Sequence, residues 1–507
     1  MEHSFYDITI VGAGIAGLYT GMRLARSPAY SEQSIGLFEV SERVGGRIKS
    51  VSHPNLELPC ELGCMRYVTS QRIITNLIEN HYALKKQPFD TGYVDNHIYY
   101  LRGKHLDTNT WSNVPYVLPE TCRDMSPFKI LDSIIDDVKK HNDVQSEIKK
   151  ELIYPHQGHL QGQSLQNIGF ANLITASSSH ETLKFLCDSG EYYAKTINWN
   201  AKEAFPYSQS IGYKAKDDIE YWCVADGFSS LTEKISDEFN RLGGQLHTDR
   251  QLRTIEHYDG QLGKYRLVFH DKKNNQEHVI ITNKIVLAIP KGPLMNLGWL
   301  SGLSELFYGS IFKNLLASVR ILPVIRFALL FKTPWWETDF DGLNGHMVTD
   351  LPLRHGYYFG SHDSKHTSVF LSTIDMDLTD YWLPYIGHTM ESGLLSDATI
   401  AELTKQLKII HRKDDIETPV VGFFSNWLSE SYGGGFHAWN PGYCVSTVME
   451  SMRKPFAHEN IHIIGESFSG LQGWVEGALC TAEKLLHDHF SLGLDEAWLE
   501  KDYFYGY

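Results

Sequence analysis

At 507 residues the chain exceeds what one hydrophobic core organises, so two or more structural lobes are expected. Its 42% hydrophobic and 21% charged residues are those of a soluble globular protein. A net charge of −15 argues against nucleic acid as a partner, because phosphates demand a concentrated basic surface. The seven cysteines (Cys60, Cys64, Cys122, Cys187, Cys223, Cys444 and Cys480) are odd in number and scattered, without CxxC pairs. That pattern excludes a disulfide framework and a cysteine metal site, no metal is expected, and a reduced compartment is the simplest reading. No run approaches the roughly 18 apolar residues that a membrane span needs. The chain enters a strand at Tyr6 with no room for a signal peptide. A cytoplasmic location is therefore expected, unless a targeting segment has been removed.

In chain order, Tyr6 to Val11 reads as a buried strand, followed by a glycine turn, a helix and a second strand closing at Glu39. Residues Phe128 to Tyr213 are mostly polar and helical, with Ile130, Leu131, Ile134, Ile135 and Val138 at helical spacing. A buried strand returns at Lys284 to Ile289, and alternating strand-like segments follow at Ile325 to Phe331 and Ser368 to Thr373. Another buried strand, Ile461 to Ile464, precedes a glycine-rich turn and a final helix, Trp474 to His487.

The turn after the first strand is Gly12-Ala13-Gly14-Ile15-Ala16-Gly17, a GxGxxG placed between strand and helix. Gly12 permits the tight turn, Gly14 lets backbone approach a pyrophosphate, and Gly17 allows close helix–strand packing. The helix start at Ile15 and Ala16 then offers unpaired N–H groups to the phosphates, and Glu39 is spaced to accept from a ribose hydroxyl. The fold expected is α/β: a Rossmann-type dinucleotide-binding domain assembled from residues 1–70, 221–290 and 441–490. A mixed-sheet substrate domain (71–127 and 291–440) and a helical lobe (128–220) complete it.

Arg43-Val44-Gly45-Gly46-Arg47 resembles the RxGGR element of a large flavoprotein group, whose glycines and arginines lie along the FAD pyrophosphate and flavin edge. Gly465-Glu466-Ser467 and Gly473-Trp474-Val475-Glu476-Gly477 resemble the flavin-closing segment of the flavin amine oxidase superfamily. The resemblance covers nearly the whole chain. It implies FAD, with Glu466 holding the ribityl or ribose chain, the Val475 N–H facing the flavin, and Leu252 meeting adenine through its backbone.

Three local features are most similar to L-amino acid oxidases. Glu61-Leu62-Gly63-Cys64-Met65-Arg66 resembles the segment that gives those enzymes an arginine for the substrate carboxylate, a task that suits a guanidinium fork. Thr349 to Arg354, continuing to Tyr357-Tyr358, resembles the stretch carrying a tyrosine that also holds the carboxylate. Tyr358 is favoured, although neighbouring strand residues alternate faces and only one of the pair points in. Phe436 stands where monoamine oxidases carry the cysteine bonded to flavin, so non-covalent FAD is expected; Cys444 lies eight residues further on. Trp474 is read as a wall beside the substrate, and His437 as a residue tuning side-chain preference.

Arg326 occupies the superfamily's lysine position, which makes reoxidation by O2 less secure; Lys313 or Lys332 would supply a lysine only with a shifted alignment. The resemblance implies oxidative deamination of an L-amino acid, with hydride passing to flavin N5, to a 2-oxo acid, ammonia and hydrogen peroxide. The partners implied are a small L-amino acid, O2 and a second copy in a homodimer. A monoamine or polyamine oxidase and a decarboxylating amino acid monooxygenase are the alternatives.

Overall fold

The computed structural model describes residues 4–54, 56, 59–89, 97–142, 152–190, 198–207, 220–260, 263–300, 302–340, 342–360, 368–428 and 433–493. Two large sheets organise them. In the first, strand Ser4–Val11 lies between Ile35–Phe38 and Gln276–Leu287, all parallel, with Gln245–His247 beyond Ile35–Phe38. Ile461–Ile463 joins in parallel against Ile285, Val286 and Leu287, while Arg250–His257 and Tyr265–Asp271 extend the sheet antiparallel. Central parallel strands are covered on both faces, which is why Ile8, Ile10, Leu37, Ile285 and Val286 are fully buried and read as continuous apolar runs. The sheet thus draws on residues 4–38, 245–287 and 461–463, the three separated regions whose apolar runs are of one type.

Helices Ile15–Arg26, Ser229–Arg241 and Val475–Phe490 pack on one side of this sheet. A side chain at Gly17 would place Cβ 1.9 Å from the Gly12 carbonyl oxygen, so only glycine allows the first helix to leave the turn at this angle. Arg23 pairs with Glu483 between the first and last helices, both side chains being buried. The last helix runs to Phe490, three residues past the expected His487, because its apolar stripe continues there to a buried Phe490.

The second sheet has the order Ser392–Leu394, Val421–Asn426, Val324–Phe331, Ser368–Asp375, His355–Phe359, Gly345–Thr349, His97–Leu101, Lys104–His105. It is antiparallel except where Gly345–Thr349 runs parallel to His97–Leu101. Strand Val324–Phe331 is buried along its whole length rather than on alternate positions. One face, carrying Ile325, Phe327 and Leu329, packs on Trp382, Leu403 and Leu407 of helices Leu378–Ile386 and Asp397–His411. Ala328 and Leu330 on the other face pack against Cys60, Leu62 and Met65. This second face carries Arg326.

Between residues 127 and 207 the described chain is helical, in Pro127–His141, Phe170–Ser177, His180–Ser189 and Ala201–Tyr207. Residues 143–151, 191–197 and 208–219 of the expected lobe lie outside the described residues. Ser126 caps the first of these helices by accepting from the Lys129 N–H at 3.2 Å, and Pro127 occupies its first turn. Buried Arg354 donates to the carbonyls of Asp188 (2.8 Å) and Gly190 (2.6 Å), so a cation caps the C-terminus of His180–Ser189 and ties it to the second sheet.

Candidate active site

A cavity of about 390 Å³ separates the two sheets. Its wall includes Gly12, Gly14, Ile15, Ala16, Glu39, Gly46, Arg47, Met65, Arg66, Leu252, Arg326, Gly465, Glu466, Gly473, Trp474 and Val475. Sixteen positions picked from scattered motifs are therefore brought to one surface.

The glycine-rich end is built to admit an anion. Gly12 sits at φ +100, and a Cβ there would come within 2.5 Å of the Ala288 carbonyl. Gly46, at φ +57, lies so close to Gly14 that a Cβ would be 3.2 Å from the Gly14 Cα. Helix Ile15–Arg26 has Gly14 as its N-cap, no side-chain cap bond and no acidic residue in its first turn. Its N-terminal donors and positive dipole end are consequently not neutralised by side chains, which fits the pyrophosphate of a dinucleotide.

Glu39, almost fully buried, accepts from the Ala13 N–H at 2.7 Å and from Ser41 N–H and hydroxyl at 3.0 and 2.9 Å. A carboxylate offers about four acceptor positions, so one remains for a ribose hydroxyl. Gly17 lies behind the cavity, in the helix–strand contact. Arg43 departs from expectation: it is absent from the wall. Its guanidinium donates to the Val44, Gly46 and Ile48 carbonyls, because the turn through two positive-φ glycines leaves those oxygens without ladder partners. Arg43 braces the glycine loop.

Glu466, on the wall, is the centre of a hydrogen-bond network. Its Oε1 accepts from the His437 and Gly473 N–H groups at 3.1 and 2.7 Å, and its Oε2 from Arg47 Nη1 at 2.6 Å and His437 Nδ1 at 2.8 Å. All four acceptor positions are occupied by protein donors. Glu466 thus holds Arg47, strand Phe436–Trp439 and the Gly473 turn together. Burial opposes its ionisation, but Arg47 and His437 outweigh burial and hold the carboxyl well below its usual range. Burial lowers His437 against the opposing pull of Glu466, so an ionised Glu466 is compensated by Arg47, with a neutral imidazole beside it.

At the other end Arg66 lies on the wall within an aromatic box, its guanidinium carbon 4.3 Å from the Tyr221 ring centre, 5.2 Å from Phe89 and 5.5 Å from Tyr357. Cation–π attraction to these rings draws on the guanidinium's positive charge and holds the group at the wall. Tyr358 is not beside Arg66. It is fully buried on the opposite face of strand His355–Phe359, among Trp336, Phe340 and Phe370, and its hydroxyl donates to His411 Nε2 at 2.6 Å. His411 in turn donates from Nδ1 to Asp339 at 2.7 Å. Tyr357, packed with Met65 and Phe89, is the member of the pair that faces Arg66.

Arg326 reaches the wall beside Thr373, its register partner, and donates from Nη1 to the Gly63 carbonyl at 2.8 Å. Its Nε and the Thr373 hydroxyl are buried without a protein partner, as is the Ser425 hydroxyl on Arg326's other register neighbour. Lys313 and Lys332 are exposed and do not line the cavity. Trp427 donates to the Leu62 carbonyl at 2.9 Å and also lines the wall. Phe436 lines it too, and Cys444 is exposed elsewhere; Cys64 is the cysteine on the wall among the described residues. Burial and the neighbouring Glu61 push the Cys64 thiol up to about 12, so it stays protonated. Sequence reasoning missed Tyr221, Phe89 and Thr373. No motif marks them, because distant strands bring them to the site.

Residues 15–484 match the family of flavin containing amine oxidoreductases. Aplysianin-A of Aplysia kurodai is 24% identical, across 96% of this chain and 90% of its own. L-amino-acid oxidase 4 of Hebeloma cylindrosporum is 22% identical, across 95% and 81%. Putrescine oxidase bound to putrescine has a similar fold, with a TM-score of 0.69 at 17% identity over 97% of this chain and 100% of its own. No helix among the described residues is long and apolar enough to cross a membrane. The chain belongs to the flavin containing amine oxidoreductase family.

Proposed function

We propose that the protein is an FAD-dependent L-amino acid oxidase with dissociable, non-covalent FAD, converting an L-amino acid, O2 and water to a 2-oxo acid, ammonia and hydrogen peroxide. The observation that carries this reading is Arg66 on the cavity wall, a guanidinium held by three aromatic rings. A fixed cation beside a redox site suits a substrate bearing a carboxylate and is a liability for one bearing only amines.

Bound FAD supplies the two-electron acceptor for the substrate Cα–H bond. Gly12, Gly14 and the helix start at Ile15 and Ala16 hold its pyrophosphate, with Glu39 at the ribose, Leu252 at the adenine end and Gly465, Gly473 and Val475 at the flavin end. Arg66 takes the substrate carboxylate, assisted by Tyr357, and this fixes which face of Cα is presented. Trp474 closes the site as an apolar wall, and Met65 packs with Phe89 and Tyr357, two of the rings around Arg66. Arg326, bonded to the Gly63 carbonyl, adds positive charge to the wall. A homodimer in a reduced compartment completes the reading.

The fold likeness to a putrescine oxidase motivates a second reading, an amine oxidase without carboxylate recognition. Anaerobic mixing of the yellow holoprotein with pooled L-amino acids, and separately with diamines and monoamines, distinguishes the two. Bleaching of the flavin that requires an α-carboxylate supports the first reading. Bleaching by amines alone overturns it.

A further inference from the structure

Away from the cavity, at the C-terminal end of helix Pro127–His141, three side chains with metal-ligand chemistry converge. Asp137 and His141 share one helix face at i,i+4 spacing, and the segment around Ile153, bonded to Asn142, carries His156 to them. One ligand atom from each lies within 4.8 Å of the others. His141 Nδ1 is 3.4 Å from the Asp137 carboxylate, and His156 Nε2 is in direct contact with the other carboxylate oxygen. We propose that Asp137, His141 and His156 form a binding site for a borderline divalent transition metal of the Zn²⁺ class.

The donor set carries the choice of ion. Two imidazoles and one carboxylate suit Zn²⁺, with Cu²⁺ and Ni²⁺ as competitors, whereas Mg²⁺ and Ca²⁺ take oxygen ligands. Two donors on a tetrahedral Zn²⁺ stand roughly 3.3 Å apart, given Zn–N and Zn–O bonds of about 2.0–2.1 Å. The His141–Asp137 separation matches that spacing; the His156–Asp137 contact must open to admit the ion. His141 Nδ1 now also hydrogen-bonds the Asp137 backbone carbonyl at 2.8 Å, and metal binding replaces that bond. The three side chains are 37–47% exposed, so water fills the remaining coordination position.

Both parts of the site are tied to the surrounding fold. Asn142 joins the helix end to Ile153 through two backbone bonds, Nδ2 to the Ile153 carbonyl at 2.9 Å and the Ile153 N–H to Oδ1 at 2.9 Å. Tyr154, buried, bonds the Gln163 carbonyl at 2.9 Å, and its ring packs 5.5 Å from that of His156. Helix Pro127–His141 is itself anchored by Ile130, Leu131, Ile134, Ile135 and Val138. An ion there links the helix terminus to the segment carrying His156.

The test uses chelator-stripped holoprotein titrated with Zn²⁺ alone by calorimetry, with Mg²⁺ as control. One saturable Zn²⁺ site of micromolar affinity is expected, weakened about tenfold or more in His156→Ala and in His141→Ala. Co²⁺ absorption bands to the red of the flavin give an independent signature of nitrogen coordination, retained in wild type and lost in His156→Ala. Asp137→Asn keeps the shape of the site and loses affinity. No saturable site, or equal Zn²⁺ uptake by wild type and His156→Ala, overturns the proposal. Flavin absorbance confirms that each variant is folded.

Discussion

The guanidinium of Arg66 lies 5.5 Å from the ring of Tyr357, while the next residue, Tyr358, hands its hydroxyl to His411 on the far side of the same sheet. Because adjacent strand residues face opposite ways, the two tyrosines are separable by mutation. Arg66→Ala is expected to lower kcat/KM for L-amino acids by about a hundredfold, the loss of a charge-assisted bidentate contact worth roughly 3 kcal/mol. Tyr357→Phe costs about fivefold, near the 1 kcal/mol of one hydrogen bond. Both variants keep their flavin. Unchanged kinetics in Arg66→Ala would remove the basis for carboxylate recognition.

Tyr358→Phe should do the reverse. It leaves the buried His411 Nε2 without its donor, at a cost of about 1–3 kcal/mol in urea unfolding, with kcat/KM within twofold of wild type. A larger kinetic defect in Tyr358→Phe than in Tyr357→Phe contradicts the face assignment.

These tyrosines mark where the sequence stops being legible. The GxGxxG turn, Glu39, the Arg66 segment and the closing helix carry local signatures, since each needs a particular glycine, charge or apolar period at fixed spacing, and all reach the same cavity wall. Choosing between Tyr357 and Tyr358 requires knowing which face of a strand buried on both sides meets Met65 and which meets Trp336, and burial pattern alone does not say. Arg43 and Glu466 show a related limit. A motif names a residue but not the backbone groups competing for it, and here three carbonyls claim Arg43 while four donors claim Glu466. The Asp137–His141 pair is visible as an i,i+4 spacing, but His156 joins it only through the fold.

Glu466→Gln tests the positioning role. The amide keeps one acceptor but removes the charge that compensates buried Arg47, so the Gly473 turn loosens. FAD retention on gel filtration is expected to fall, with FAD bound at least about tenfold more weakly, while Arg47→Lys gives a milder loss. Full retention in Glu466→Gln would show that the four bonds serve folding alone.

Glu61 makes stability depend on pH. Burial pushes its carboxyl up to about 8, against the lowering effect of the Phe228 N–H, the Ser50 hydroxyl and the Arg326 charge. A folded-state pKa above the unfolded value of 4.5 means the folded protein binds the extra proton. The stability it contributes is fully present below about pH 4.5 and is lost progressively as pH rises to about 8, amounting to a few kcal/mol. Melting temperatures should therefore fall between pH 5 and about 8.5, and Glu61→Gln, which mimics the protonated acid, should flatten that slope. Identical slopes in the two proteins assign the titration to other groups.

Arg326 sets the last expectation. Its fork is anchored to the Gly63 carbonyl at 2.8 Å, and its Nε and the hydroxyl of its register partner Thr373 are both buried without a protein partner, so its charge is spread over a flat, tethered group. Lysine at this position presents a compact ammonium free to hold a water between itself and Thr373. Arg326→Lys should leave anaerobic reduction by substrate within about threefold of wild type and raise the rate of reoxidation by O2 about tenfold, a change of about 1.4 kcal/mol. Stopped-flow absorbance measures the two half-reactions separately, which matters because steady-state turnover reports only the slower one. Reoxidation that is unchanged or slower in Arg326→Lys would mean that the arginine acts chiefly through the Gly63 turn, and Arg326→Met should then disturb the reductive half-reaction by displacing Arg66.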